Sequence, residues 1–311
     1  MTGSDWGRRP PGVDEIIQEV GEQEFSDFAE VQAYLDRRMA EYNETPQAEL
    51  GGLSPRQVFD LLHGDWDGRG AVRLEPGLTL GELDGAEILV NARRMLAAAD
   101  EAGGFKATQA GNLNRRAVQD LAERLRWEPR LAEVLRTHAS GLNETDLFPL
   151  HVLRVVLGLA GLLLKRKGSF RVTKRGRALS RDGKAGELYA LLFRTFFRTF
   201  NLAYVDRMAG EHRAIQDTLA FSLYGLSGLA DDWTRIGTLA HQIVLPDVAA
   251  ELPVDHLGID RLEWMVELRV LRPLVRFGLL ELREVPGKDK YVPDREVRRT
   301  ALYRRFLRFE V

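Results

Sequence analysis

The stretch GLLLKRKGSFRVTKRGRAL, from Gly161 to Leu179, decides how this chain is read. Gly161 suits the left-handed residue that ends a helix, Leu162 to Leu164 make a short apolar strand, and Gly168 permits a tight reversal. Phe170 and Val172 alternate on the return strand, and Thr173 stands where a hydroxyl caps a following helix. A helix end, a β-hairpin and a helix start thus follow one another directly.

Upstream of this stretch the spacing of apolar residues gives helices with recognisable ends. One runs from Ala86 to Ala102, and a second from near Leu113 to Leu125 is opened by the Gly111-Asn112 break. A third begins around Asn143-Glu-Thr-Asp146, has Pro149 in its first turn and carries Val152, Leu153, Val156 and Leu157 up to Gly161. Three helices and a hairpin in this order are the plan of a winged helix, whose third helix enters the major groove of DNA. Trp127 to Leu142 is an insertion between the second and third helices, longer than the usual turn.

Downstream, Leu188 to Met208 reads as one long helix with Tyr189, Phe193, Phe196, Phe197, Phe200 and Tyr204 at spacings of three and four, a core stripe, while Arg194 and Arg198 lie off it. Leu239 to Leu252 and Leu262 to Phe277 are further amphipathic stretches, broken by Pro246 and Pro273. FGLLELREVPGKDKYVP then echoes the hairpin: Gly278 takes the place of Gly161, Leu279 to Leu282 the first strand, Pro286-Gly287 the turn, Tyr291 and Val292 the return. A final helix is expected over Arg295 to Phe309, burying Leu302, Phe306 and Phe309 and leaving Arg298, Arg299, Arg304, Arg305 and Arg308 exposed.

In front of these units, residues 1–12 are Gly/Pro/Arg-rich and expected to be disordered. Two acidic helices fit Val13 to Tyr42, and Ser54-Pro55 opens a short helix that Gly64 closes. A loop region follows, with one strand at Ala71 to Leu74, and Gly85 is the expected domain boundary. The fold class is mainly α: an acidic helical region (13–85), a central winged-helix domain (86–185), and the long aromatic helix with a C-terminal winged-helix-like unit (186–311), giving tandem units with two small β-hairpins.

The net charge of −2 hides an asymmetry. Residues 1–85 hold 7 Lys/Arg against 18 Asp/Glu, whereas residues 86–185 hold 19 against 10. A basic middle behind an acidic front suits contact with a polyanion, or masking of the basic face by the chain's own acidic region. With no cysteine, disulfides, thiolate nucleophiles and Cys-dependent zinc sites are excluded, which fits a reducing cytoplasm. The longest apolar run, Val155 to Leu164, is about half of what a bilayer requires, so no membrane span is expected.

Five blocks in order, GLSPRQVFDLLHG, KATQAGNLNRRAVQDL, DLFPLHVLRVVLGLAGLLLKRKGSFRVTKRGRAL, ELYALLFRTFFRTFNLAYVD and FGLLEL followed by KYV, make the chain resemble a family of uncharacterised prokaryotic proteins. Members are often associated with plasmids or mobile elements, and some relatives carry SEC-C zinc motifs. The resemblance implies a helical, winged-helix architecture. It transfers no site residues, and without cysteine no metal role is inherited.

The candidate nucleic-acid contacts are the cations of the hairpin and the turn after it: Lys165, Arg166, Lys167, Arg171, Lys174, Arg175, Arg177 and Arg181, followed by Lys184. In a winged helix they lie along the phosphate backbone, where each neutralised phosphate releases counterions. Gln109, Asn112, Asn114, Arg115 and Arg116, around the start of the second helix, are expected either to reach phosphates or base edges or to serve as caps and surface residues, and His151 and Arg154 are the base readers if the third helix enters a groove. Catalytic patterns are absent from the sequence. The six histidines form no zinc-helix pair, no Gly-rich phosphate loop occurs, and Asp65-Trp66-Asp67-Gly68 is too short for a calcium loop. The expectation is a non-enzymatic, DNA-binding or DNA-associated regulatory protein without metal or cofactor, partnered by double-stranded DNA. The alternative is an interaction scaffold that docks an acidic protein or its own N-terminal region.

Overall fold

A short pair of strands brings the end of the chain back to the loop region after Gly64: Val72–Leu74 runs antiparallel to Leu307–Phe309, with Val72 opposite Phe309 and Leu74 opposite Leu307. The backbone of Glu75 extends the contact by donating to the Phe306 carbonyl at 2.9 Å, and Arg308 pairs with Glu75 and Arg305 with Glu82. The loop region is therefore held by the last strand of the chain.

The computed structural model describes residues 12–138, 141–206, 212–252, 254, 258, 260–289 and 292–311. Apart from Gly12, the expectation of disorder over residues 1–12 lies outside them, as do Met208 and Tyr291. The chain divides into two compact units, one up to His63 with Val311, the other Gly64–Glu310. The division falls at Gly64 and not at Gly85, because strand pairing of Val72–Leu74 with Leu307–Phe309 ties the intervening residues to the second unit.

The first unit holds α1 (Val13–Glu22), α2 (Phe28–Glu44) and α3 (Pro55–His63). Asp27 caps α2 by accepting from the Glu30 N–H at 2.9 Å. Ser54 and Gln57 form a reciprocal capping box at the start of α3, 2.9 and 3.3 Å. Arg38 on α2 pairs with Glu19 on α1 at 2.7 Å.

The second unit opens with β1 (Val72–Leu74) and then repeats one order of elements. The first repeat is α4 (Glu87–Glu101), β2 (Phe105–Lys106), α5 (Arg115–Arg124), α6 (Pro129–His138), α7 (Phe148–Leu159), β3 (Leu163–Arg166), β4 (Ser169–Val172) and α8 (Lys174–Leu179). After α9 (Ala185–Arg194) and α10 (Ala214–Asp217) come α11 (Leu219–Ser227), β5 (Thr234–Arg235), α12 (Ile236–Gln242), α13 (Pro246–Ala250), α14 (Arg261–Val266), α15 (Arg272–Arg276), β6 (Leu280–Asp289), β7 (Val292–Arg299) and α16 (Ala301–Phe306), and β8 (Leu307–Phe309) ends the unit. Each repeat closes a three-stranded antiparallel sheet in the same order, β2-β4-β3 and β5-β7-β6, the last strand central. The segment expected as an insertion, Trp127 to Leu142, contains α6, and α13 stands at the corresponding place in the second repeat.

The aromatic stripe is core from Tyr189 to Phe200, whereas Tyr204, expected in the same stripe, is exposed. Phe193 packs edge-on against Phe277 and Phe306 at centroid distances of 5.2 and 5.1 Å, and the buried Tyr189 hydroxyl donates to the Phe277 carbonyl at 2.6 Å. The helix carrying it does not run to Met208. It widens into a π-turn over Thr195–Thr199 and stops at Phe200, where Gln216 donates to the carbonyls of Phe197 and Phe200 at 3.2 and 2.7 Å. Those bonds satisfy carbonyls that a continuing helix would have used.

Three further expectations change in the second repeat. Arg295 to Phe309 is not a helix: β7 runs to Arg299, α16 occupies only Ala301–Phe306, and β8 follows. Arg299 is buried, donating to the carbonyls of Ser227 and Leu229 and pairing with Asp231. Pro286-Gly287 is not the turn, because β6 passes through it with a register shift between Val285 and Asp289.

Candidate nucleic-acid interface

The central hairpin closes with a two-residue turn, Lys167-Gly168, between the paired residues Arg166 and Ser169. Both turn residues have positive φ, 48° and 71°, the combination whose twist matches a hairpin. Glycine adopts this freely, but a lysine there costs about 1–2 kcal/mol relative to an ordinary backbone conformation. The chain thus places a cation at the hairpin tip in a conformation that favours Asn or Gly.

Register divides the sheet into two faces. Phe105, Phe170, Leu163 and Val172 are buried on the inner face. Lys106, Ser169 and Arg166 form one row on the outer face, and Arg171 with the exposed Leu164 forms the next. A Cβ on Gly104 would meet the Arg171 stem and the Phe170 carbonyl at 2.9 Å, so only glycine lets Arg171 lie across the edge of β2. Lys165 shares the inner face with Phe170 but stays exposed at its end; a Cβ on Gly111 would sit 3.0 Å from its ammonium nitrogen. Sequence reasoning missed Lys106, whose membership in the face depends on β2 pairing with β4.

Most of this charge is open. Lys106, Lys165, Arg166, Lys167, Arg171, Lys174 and Arg181 are exposed, and no carboxylate among the described residues pairs with them. From Leu147 to Arg181 the chain has no acidic residue. Arg175 is exposed, with its guanidinium 3.5 Å from the Ala160 carbonyl. Arg177 and Lys184 are neutralised locally by Asp100 at 2.8 Å and Glu187 at 2.6 Å. The second repeat is the opposite case: Arg283, Arg295, Arg298 and Arg299 pair with Glu296, Glu267, Glu281 and Asp231 at 2.7, 2.9, 2.5 and 3.2 Å.

Residues 84–185 match the family model of the Y4jL N-terminal domain. The match spans the whole first repeat, about a third of the chain, and its description names a domain and no activity. No curated protein and no solved structure matches the chain.

Inside the matched segment, the expected base readers are turned away from solvent. Glu144, fully buried, accepts from the Leu113 N–H, from His151 Nδ1 at 2.7 Å and from Arg154 Nε at 2.6 Å. Burial alone would raise the Glu144 carboxyl, but the bonds from His151, Leu113 and Arg154 outweigh it and hold it below the usual carboxylate range. His151 continues through Nε2 to the Tyr204 hydroxyl at 3.0 Å, and Arg154 stacks over Phe170 at 5.0 Å. Along α7 the exposed positions are Gly158 and Leu159, so the helix has no polar face to offer a groove. His151 and Arg154, expected as base contacts, are instead internal ties to Glu144.

The remaining sequence candidates divide. Asn114 caps α5 by accepting from the Ala117 N–H at 3.1 Å, and Arg115 donates to the Asn143 side chain at 3.1 Å. Asn112 belongs to the tight loop before α5, where its N–H donates to the Thr108 hydroxyl at 3.1 Å. Arg116 and Gln109 are exposed. Among the described residues no cluster of His, Asp or Glu is arranged to hold a metal ion, and no helix is long and apolar enough to cross a membrane.

Proposed function

We propose that residues 84–185 form a winged-helix module that binds the phosphate backbone of duplex DNA through the outer sheet face and hairpin tip, without reading base sequence. The observation that carries this reading is the contrast between the two repeats. The hairpin of the second repeat has Arg283, Arg295, Arg298 and Arg299 neutralised by neighbouring carboxylates, whereas the first repeat leaves seven cations unpaired, four of them on its hairpin and six in an acid-free stretch. Exposed, unpaired cations release counterions when they meet phosphates, which gives affinity that is tolerant of sequence and sensitive to salt. The buried α7 supports the second half of the proposal, since base-edge contacts need exposed polar groups.

The test is duplex binding by the full chain and by a variant with Lys165, Arg166, Lys167 and Arg171 changed to Glu. The reading expects sequence-independent binding at low salt and a loss of roughly a hundredfold or more in the variant. Equal binding by both proteins, or none by either, overturns it.

A second reading, an adaptor that docks an acidic protein or the chain's own acidic region on the same face, is favoured by the apolar, enclosed α7, which suits packing better than groove entry. Removing residues 1–63 separates the two. Tighter duplex binding after removal is the mark of masking, and unchanged binding speaks for an open DNA-binding face.

A further inference from the structure

We infer that Tyr204 is a nucleophile with His151 as its general base, arranged to take a phosphodiester group onto the phenol oxygen. This goes beyond the DNA-binding reading and rests on it only for the class of substrate.

The arrangement has the three parts that an activated hydroxyl requires: a nucleophile, a base within hydrogen-bond reach, and a group that orients the base. Glu144 is fully buried and bonded to His151 Nδ1 at 2.7 Å. An ionised carboxylate has no proton to give, so Nδ1 carries a ring proton, and in the neutral ring Nε2 presents its lone pair. The Tyr204 hydroxyl lies 3.0 Å from that nitrogen and donates to it when the ring is neutral.

Access is graded along the chain of bonds. Glu144 is 0% exposed, His151 7% and Tyr204 42%, so the interior is fixed and the reactive end faces solvent. Phe148 and Phe200 pack the phenol ring at centroid distances of 5.8 and 6.1 Å. The other described tyrosines differ. Tyr189 and Tyr303 are buried and donate to backbone carbonyls, Tyr34 donates to the Glu19 carboxylate, and Tyr42 and Tyr224 are half-buried. None of these has an imidazole base.

In the step inferred, the Tyr204 oxygen attacks phosphorus while its proton passes to His151 Nε2. The bond from phosphorus to the leaving oxygen breaks, and that oxygen departs with the electron pair. The product is a tyrosyl phosphodiester, and the imidazolium, still bonded to Glu144 through Nδ1, returns its proton to water. An aryl ester whose leaving group is already stable as an anion needs no proton donor.

The probe is thymidine 5′-(4-nitrophenyl) phosphate, incubated with the full chain. Nitrophenolate release is followed by absorbance and the adduct is located by mass spectrometry. The expected result is one burst equivalent and an adduct on Tyr204, formed about a hundredfold faster than on Tyr224 of the same molecule, and abolished in Tyr204→Phe. The comparison within the wild-type chain holds even if His151→Gln, expected to slow the burst by a similar factor, fails to fold. No adduct, or equal labelling of Tyr204 and Tyr224, overturns the inference. An adduct without duplex binding sinks the DNA reading alone, and duplex binding without an adduct sinks this one alone.

Discussion

The hydroxyl of Thr173 donates to the carbonyl of Gly161 at 2.8 Å, tying the end of the central hairpin to the end of the helix that precedes it. Thr300 makes the same bond to Gly278 at 2.7 Å. Around each pair the backbone repeats as well: Leu162 N–H donates to Leu157 and Thr173 N–H to Leu162, while Leu279 donates to Leu274 and Thr300 to Leu279. Gly161 and Gly278 have φ of 70° and 73°, a helix-ending conformation that glycine adopts without strain. One set of bonds is built twice, and the charges around it are what differ.

Thr173→Val and Thr300→Val should each destabilise the fold by about 0.5–1.5 kcal/mol through the lost hydroxyl bond. Thr173→Val should be the more costly by about 1 kcal/mol, because Thr173 also caps α8 by accepting from the Gly176 N–H at 2.9 Å. Chemical denaturation of the two variants checks the order.

Lys167→Asn should raise stability by roughly 0.5–1 kcal/mol, since Asn tolerates the left-handed region better than Lys. The same change should weaken duplex binding, because it removes the tip cation. Opposite signs in denaturation and binding are the expected outcome; a variant that is less stable and binds equally well contradicts both parts.

Glu144→Gln should destabilise the protein by about 3–5 kcal/mol by leaving Arg154 and His151 without their buried anion. The folded carboxyl lies below its ordinary value, so its contribution is complete above about pH 4.3 and disappears as pH falls through the folded value. Wild type should therefore lose stability more steeply below that pH than the Gln variant, as read from melts across the acid range.

Gly186→Ala should cost about 1–3 kcal/mol, because a Cβ there would lie 2.3 Å from the Pro76 carbonyl oxygen and 2.7 Å from Leu78 backbone atoms. Gly183→Ala, with nothing within 4 Å, is the control and should be near neutral. A shared melting temperature for the two variants would mean that residues 76–78 do not rest on α9.

What the sequence made legible was local chemistry. The Gly161 helix end, the Gly168 turn and the Thr173 cap each depend on residues within a few positions, and each is present in the fold. The hairpin cations stood out because no acid interrupts them. What stayed hidden required long-range pairing. Val297, 1% exposed at the centre of the sheet on β7, belongs to a strand because β5 and β6 flank it, although its neighbours have helical spacing. Gln216 ends the aromatic helix from 16 residues beyond Phe200. His151 and Arg154 look like surface polar groups on a helix until Glu144 is found beneath them, and Tyr204 joins that cluster from a sequence distance of 53.

The measurement closest to the central claim is the salt dependence of duplex binding by the wild-type chain. A logarithmic plot of affinity against salt should fall with a slope of about −0.9 for each phosphate contacted, so about four to six contacts by the open cations give roughly −4 to −5, unchanged when the base sequence is scrambled. A slope near zero, or affinity that follows base sequence at constant salt, would contradict the account.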